Sequence, residues 1–119
     1  MSAGHVVART ALVPLQAEPS LRAEQVSQMV LGETAAVQEA AGEWRRVRCE
    51  LDGYLGWAHV GYLVELEAGA AAAWRNEAMG WSLGAVARVG ADLVRLPLRA
   101  RVAPGSQGVR LPDGRLATL

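Results

Sequence analysis

Between His5 and Leu66 the apolar positions fall in short runs of β-branched and aromatic residues, and none of them holds a 3.6-residue stripe long enough for a helix. The runs predict strands at Val6–Thr10, Leu12–Gln16, Gln25–Val30, Ala35–Glu39, Trp44–Cys49 and Tyr54–His59. Turn residues separate them at Glu18-Pro19-Ser20, Leu31-Gly32-Glu33, Ala41-Gly42-Glu43 and Leu51-Asp52-Gly53. The last is the sharpest signal, because Asp-Gly supplies the positive φ of a tight hairpin turn. Residues 67–79 switch to alanine, the best helix former, and predict a short helical or semi-rigid connector. From Trp81 the β pattern returns at Ser82–Val89, Leu93–Leu96, Leu98–Ala103, Val109–Leu111 and Leu116–Leu119. Turns are expected at Gly90-Ala91-Asp92, Pro104-Gly105-Ser106 and Pro112-Asp113-Gly114. The predicted fold is all-β: one small barrel over residues 1–67, an Ala-rich connector over 68–80, and a second barrel over 81–119. That second barrel is expected to be C-terminally truncated or incomplete, since its final strand runs to Leu119.

Composition narrows the function classes. Apolar residues make up 51% of the chain and charged residues 20%, which fits a folded domain and argues against disorder. The formal net charge is zero, so the basic excess of a nucleic-acid binder is missing. Every basic residue other than histidine is arginine, and the arginines lie unevenly: residues 1–67 hold five against nine acids, residues 68–119 seven against three. The halves therefore carry opposite charge and can attract each other, although salt screens exposed charges of this kind. The single Cys49 excludes an internal disulfide framework and a Cys-rich zinc site. No run approaches the roughly 20 apolar residues of a membrane span. The start Met-Ser-Ala-Gly-His lacks signal-peptide character, so a cytoplasmic location is expected, or the cell envelope if the N-terminus is truncated. No nucleotide loop, triad order or metal-ligand spacing is present, and no cofactor is expected.

A few residues stand out chemically. Strand alternation puts Cys49 on the same face as Val47, the expected core face, where a cysteine behaves as a small hydrophobe rather than a nucleophile. His5 and His59 lie more than fifty residues apart without carboxylates at fixed offsets and read as strand-end residues. Trp44 shares its face with Arg46 and Arg48, and guanidinium groups beside an indole form a candidate ligand face. If Leu55 and Trp57 line the core, Tyr54 points outward over Gly56, where a missing side chain leaves open space for a contact. Glu24 follows the turn at 19–23. Its face is undetermined, because Val26, Met29 and Val30 fit helical spacing as well as a bulged strand.

Four pieces taken together resemble a bacterial SH3 (SH3b) domain: Leu15–Ser20, Glu24–Glu33, Trp44–Arg48 and Asp52–Trp57. More narrowly they are similar to the N-terminal SH3b region of NlpC-type cysteine peptidases, the γ-D-glutamyl-L-diamino acid endopeptidases that trim cell-wall peptides. The likeness covers residues 6–66 closely. It extends loosely over 74–119, where Gly80–Gly84, Leu96–Leu98 and Val109–Arg115 look like the family's second SH3-like barrel. The resemblance implies that the first barrel packs on a catalytic domain and forms one wall of its substrate site. An acidic residue and a tyrosine there recognise the free amino end of an L-Ala-γ-D-Glu-diamino acid peptide, and the matching positions are Glu24 and Tyr54. The family's catalytic Asp-Cys-Ser-Gly motif has no counterpart, since Cys49 stands in Arg-Cys-Glu. The expectation is a non-catalytic module whose partners are a cysteine peptidase domain, in cis or in trans, and a cell-wall peptide. The alternatives are an autonomous peptidoglycan- or protein-binding module using Trp44, Arg46 and Arg48, and a small enzyme using Cys49 or His59.

Overall fold

A computed structural model describes residues 4–78, 80–105 and 108–117. The chain is mostly β, its strands forming two antiparallel sheets with one helix between them in sequence. Strands β1 (His5–Ala8), β2 (Leu12–Gln16), β3 (Gln25–Val30), β4 (Thr34–Ala41), β5 (Trp44–Cys49), β6 (Leu55–His59) and β7 (Leu63–Leu66) make the first sheet, in the order β3-β2-β6-β5-β4-β1-β7. The second sheet holds β8 (Gly80–Val89), β9 (Asp92–Gly105), β10 (Gly108–Arg110) and β11 (Leu116–Ala117), in the order β11-β10-β9-β8. Helix α1 (Ala68–Glu77) lies between them in sequence. In these ladders β3 and β7 stand at the edges of the first sheet.

The hairpin turns form for the reason their residues suggest. Gly53 adopts φ +74 and donates to the Cys49 carbonyl at 2.8 Å, while Asp52 Oδ1 accepts from Tyr54 N at 3.0 Å. The Pro112-Asp113-Gly114 turn closes with Gly114 N donating to Leu111 O at 2.9 Å. Two sequence expectations are corrected. Leu93–Leu96 and Leu98–Ala103 belong to one long strand, β9. Proline is tolerated at position 97 because β9 is laddered there to β8 on one side only, so the missing N–H breaks no second ladder. Strand β7, absent from the sequence reading, pairs with β1 through His5↔Leu66 to Ala8↔Leu63. The ends of two expected features, residues 106 and 118–119, and residue 79 of the connector lie outside the described residues.

From Val6 to Ala8, β1 is apolar because both of its faces are covered. Val6 and Ala8 enter the core of the first sheet with Val13, Leu15, Met29 and Val47, whereas Val7 points the other way, onto Trp74, Ala78 and Ala103. A further core joins Leu31, from the β3–β4 turn, to Leu96, Ala100, Val102 and Leu111. The helix is therefore more than a connector. It presents Ala71 and Trp74, three residues apart and on one side, as its buried positions. Trp74 Nε1 donates to Gly32 O at 2.8 Å, and Arg75 Nη1 reaches Glu50 Oε2 at 2.9 Å. Backbone contact completes the junction, with Arg101 N donating to Leu31 O at 2.8 Å. No helix among the described residues is long and apolar enough to cross a membrane.

Candidate functional site

The β5–β6 ladder pairs Trp44 with His59, Arg46 with Trp57 and Arg48 with Leu55. Val47 and Cys49 are buried, so alternation leaves Trp44, Arg46 and Arg48 on the opposite, outer face. On β6 the buried residues are Gly56 and Ala58. The expectation that Leu55 and Trp57 line the core is thus corrected: they are half-buried on the outer face, beside the arginines. Gly56 is likewise not open space. A Cβ there would lie 2.8 Å from Leu15 Cβ, and the missing side chain is what lets β6 approach β2.

Beside this ladder lies an open hollow of about 440 Å³. Gln16, Ala17, Arg46, Tyr54 and Trp57 are among its lining residues, and the size is ordinary for a small-molecule or peptide site. Tyr54 sits where the β5–β6 hairpin delivers it, 44% exposed. Glu24 reaches the same region through its backbone, its carbonyl accepting from Ala17 N at 2.8 Å. Its side chain is exposed and unpaired among the described residues, ahead of β3, which begins at Gln25. Arg46 lines the hollow, whereas Arg48 turns toward the hairpin, with Nη1 3.5 Å from Gly53 O. Trp44 belongs to a separate aromatic stripe: its ring meets His59 edge-on at 5.3 Å, and His59 meets Tyr62 at 6.3 Å. His59 Nδ1 accepts from Gly61 N at 3.0 Å and Nε2 lies 3.3 Å from Glu43 Oε2. With both ring nitrogens engaged, His59 caps a short helical turn rather than facing a ligand. The three residues expected to form one ligand face therefore divide between two places.

Sequence reasoning missed Gln16. Its outward parity marks it as a surface residue, but only 9% of it is exposed and its Oε1 is buried without a hydrogen-bond partner among the described residues. A polar residue closing a strand next to a loop was the available signal.

A second cleft, of about 280 Å³, follows the seam between the sheets and is lined by Thr34, Glu50, Trp74, Arg75 and Arg101. Both of its carboxylates are engaged: Glu50 accepts from Thr34 Oγ1 at 3.1 Å and from Arg75 at 3.0 Å, and Glu33 Oε1 accepts from Val30 N at 2.7 Å. This cleft reads as structural. Cys49 is buried, and burial pushes its thiol from the ordinary 9.0 to about 12, with Asp52 and Glu33 adding to the shift. At neutral pH it is no nucleophile. Native Cys49 is expected to alkylate at least about a hundredfold more slowly than in urea at pH 8. Comparable rates would contradict its burial. The same shift stabilises the fold fully below the unfolded thiol value, and that contribution is lost as pH climbs from about 9 through about 12.

Residues 15–63 match the family model of the bacterial dipeptidyl-peptidase SH3 domain. The match runs from β2 to the start of β7 and contains Glu24 together with every residue that lines the hollow, Tyr54 among them. It makes this segment similar to SH3b modules, a non-catalytic domain type found with peptidases. No curated protein matches the chain closely enough to count as a relative. Within the matched segment the hollow, formed where β2, β5 and β6 come together, combines open volume, an exposed phenol and Arg46, a cation without an ion-pair partner among the described residues.

Proposed function

We propose that this chain is the SH3b region of an NlpC-type cell-wall endopeptidase. It would dock the catalytic domain and help recognise the free N-terminal L-Ala end of a murein peptide, its two sheets acting as paired SH3-like barrels over 1–67 and 81–119. The observation that carries this reading is that the family match spans a hollow with Tyr54 on its lining and Glu24 bonded to its rim at Ala17. A carboxylate pairs with a substrate ammonium, and a tyrosine offers an apolar wall with a hydrogen-bonding tip. Requiring a free amino end rejects uncleaved or blocked peptides by leaving the carboxylate without its partner.

The test is titration of the chain with L-Ala-γ-D-Glu-L-Lys and with its N-acetyl form. Acetylation and Glu24→Gln are each expected to weaken binding by about tenfold, the worth of one charge-assisted contact. Equal affinity for both peptides would sink the amino-end role. Binding to insoluble cell walls that disappears on Trp44→Ala would instead favour the autonomous module.

A further inference from the structure

His59 ends β6 and caps the helical turn Val60–Tyr62 that leads into β7. The group it caps is the backbone N–H of Gly61, a donor, so His59 Nδ1 at 3.0 Å accepts and carries no proton. The neutral ring then holds its one proton on Nε2, which lies 3.3 Å from Glu43 Oε2. Only this tautomer satisfies both contacts. The ring is also confined: Trp44 meets it edge-on at 5.3 Å and Tyr62 at 6.3 Å, and a Cβ on Gly61 would lie 3.1 Å from Nδ1. Turning it about χ2 to relieve one nitrogen would take the other from its partner.

An imidazole ordinarily changes charge between about pH 5 and 8. With Nε2 already protonated, the second proton goes to Nδ1. Two N–H donors then oppose each other across the 3.0 Å that now holds the cap. The charged and titratable groups around the ring do not offset this. Glu43 of the β4–β5 turn favours the cation, but its side chain is 79% exposed, and an ion pair so open to water returns little. Arg45 of β5 is held by Glu65 of β7 at 2.6 Å, and Tyr62 presents its ring edge. Arg9, after β1, meets the turn through its backbone, and β2, on the other side of β6, carries no charged residue.

We infer that His59 is an acid-released latch: a second proton on its ring ends the cap on Gly61 and opens the turn that joins β6 to β7. The turn is tied to its surroundings through Val60 N donating to Glu43 O at 2.9 Å and Arg9 N donating to Tyr62 O at 3.0 Å. Opening it therefore loosens the Trp44–His59–Tyr62 stripe and the start of β7 together. The latch stands apart from the peptide reading, since His59 does not line the hollow.

NMR of the intact chain between about pH 8 and about pH 5 tests it. At the alkaline end the ring nitrogen shifts should place the proton on Nε2. As the ring gains its second proton, the Gly61 amide should shift with the same midpoint. Over that step the buried Leu63 amide, which donates to Val60 O, should lose about tenfold of its exchange protection, the worth of one cap. His59→Asn keeps a cap acceptor that does not titrate, so Gly61 and Leu63 should hold their alkaline values throughout. Three results overturn the latch: a proton on Nδ1 at the alkaline end, constant Leu63 protection while the ring titrates, or an undiminished response in His59→Asn.

Discussion

Trp74→Ala is expected to cost about 3–5 kcal/mol of folding stability, read from the urea midpoint at constant slope. The indole is 5% exposed and packs between Val7 of the first sheet and Ala103 of the second. It also carries the 2.8 Å hydrogen bond to Gly32 O, and the Arg110 guanidinium lies 5.4 Å over its ring, held by Glu77. Removing it opens a cavity at the point where both sheets and the helix meet. Trp74→Phe separates the contributions: it keeps most of the apolar volume and loses the N–H donor, so about 1–2 kcal/mol should go. A change below about 1 kcal/mol in the alanine variant would mean that the sheets are held together elsewhere.

Gly32→Ala attacks the same junction through the backbone, and a loss of about 3 kcal/mol or more is expected. Gly32 adopts φ +87, a left-handed conformation that costs an alanine about 1–2 kcal/mol. An added Cβ would also collide with the backbone oxygen of Arg101 and lie 2.8 Å from its carbonyl carbon. Backbone cannot swing aside as the tip of a side chain can. β9 would have to retreat, lengthening the Arg101 N to Leu31 O bond and uncovering Leu31. Gly42→Ala is the control. Gly42 shares a positive φ of +59 but has nothing near its missing Cβ, so it should show the conformational cost alone. Equal losses at the two glycines would contradict close packing of the sheets.

How far the sequence reveals this arrangement depends on the range of the forces involved. β2, β3 and β5 have the bounds that their turn residues and apolar alternation indicate, because both signals are local. β7 escaped because its pairing partner, β1, lies far away in sequence, and four residues carry little signal of their own. The break expected at Pro97 failed for a related reason: a sheet tolerates proline in a strand with one free side, and the local sequence does not tell which strand that is. The parity of β6 was read from side-chain size, with large residues assigned inward. Close approach by Leu15 selected the small residues Gly56 and Ala58 for the core instead. That reversal moved Trp57 to the outer face, where it stands between Gln16 of β2 and Arg46 of β5. The family resemblance pointed to Glu24 and Tyr54, and alternation put Arg46 on the outer face. Neither could show that Arg46 and Glu39 form no ion pair, or that Gln16 Oε1 is buried without a partner, among the described residues, since both depend on side-chain packing across strands.

Backbone amide shifts of the intact chain during titration with free-amine L-Ala-γ-D-Glu-L-Lys test the central claim most directly. Saturable shifts concentrated at Ala17, Glu24, Arg46 and Gly53–Trp57 are predicted, with Trp44, His59 and Tyr62 left in place. Shifts confined to the Trp44–His59–Tyr62 stripe, or none at millimolar peptide, would contradict a peptide site in this hollow.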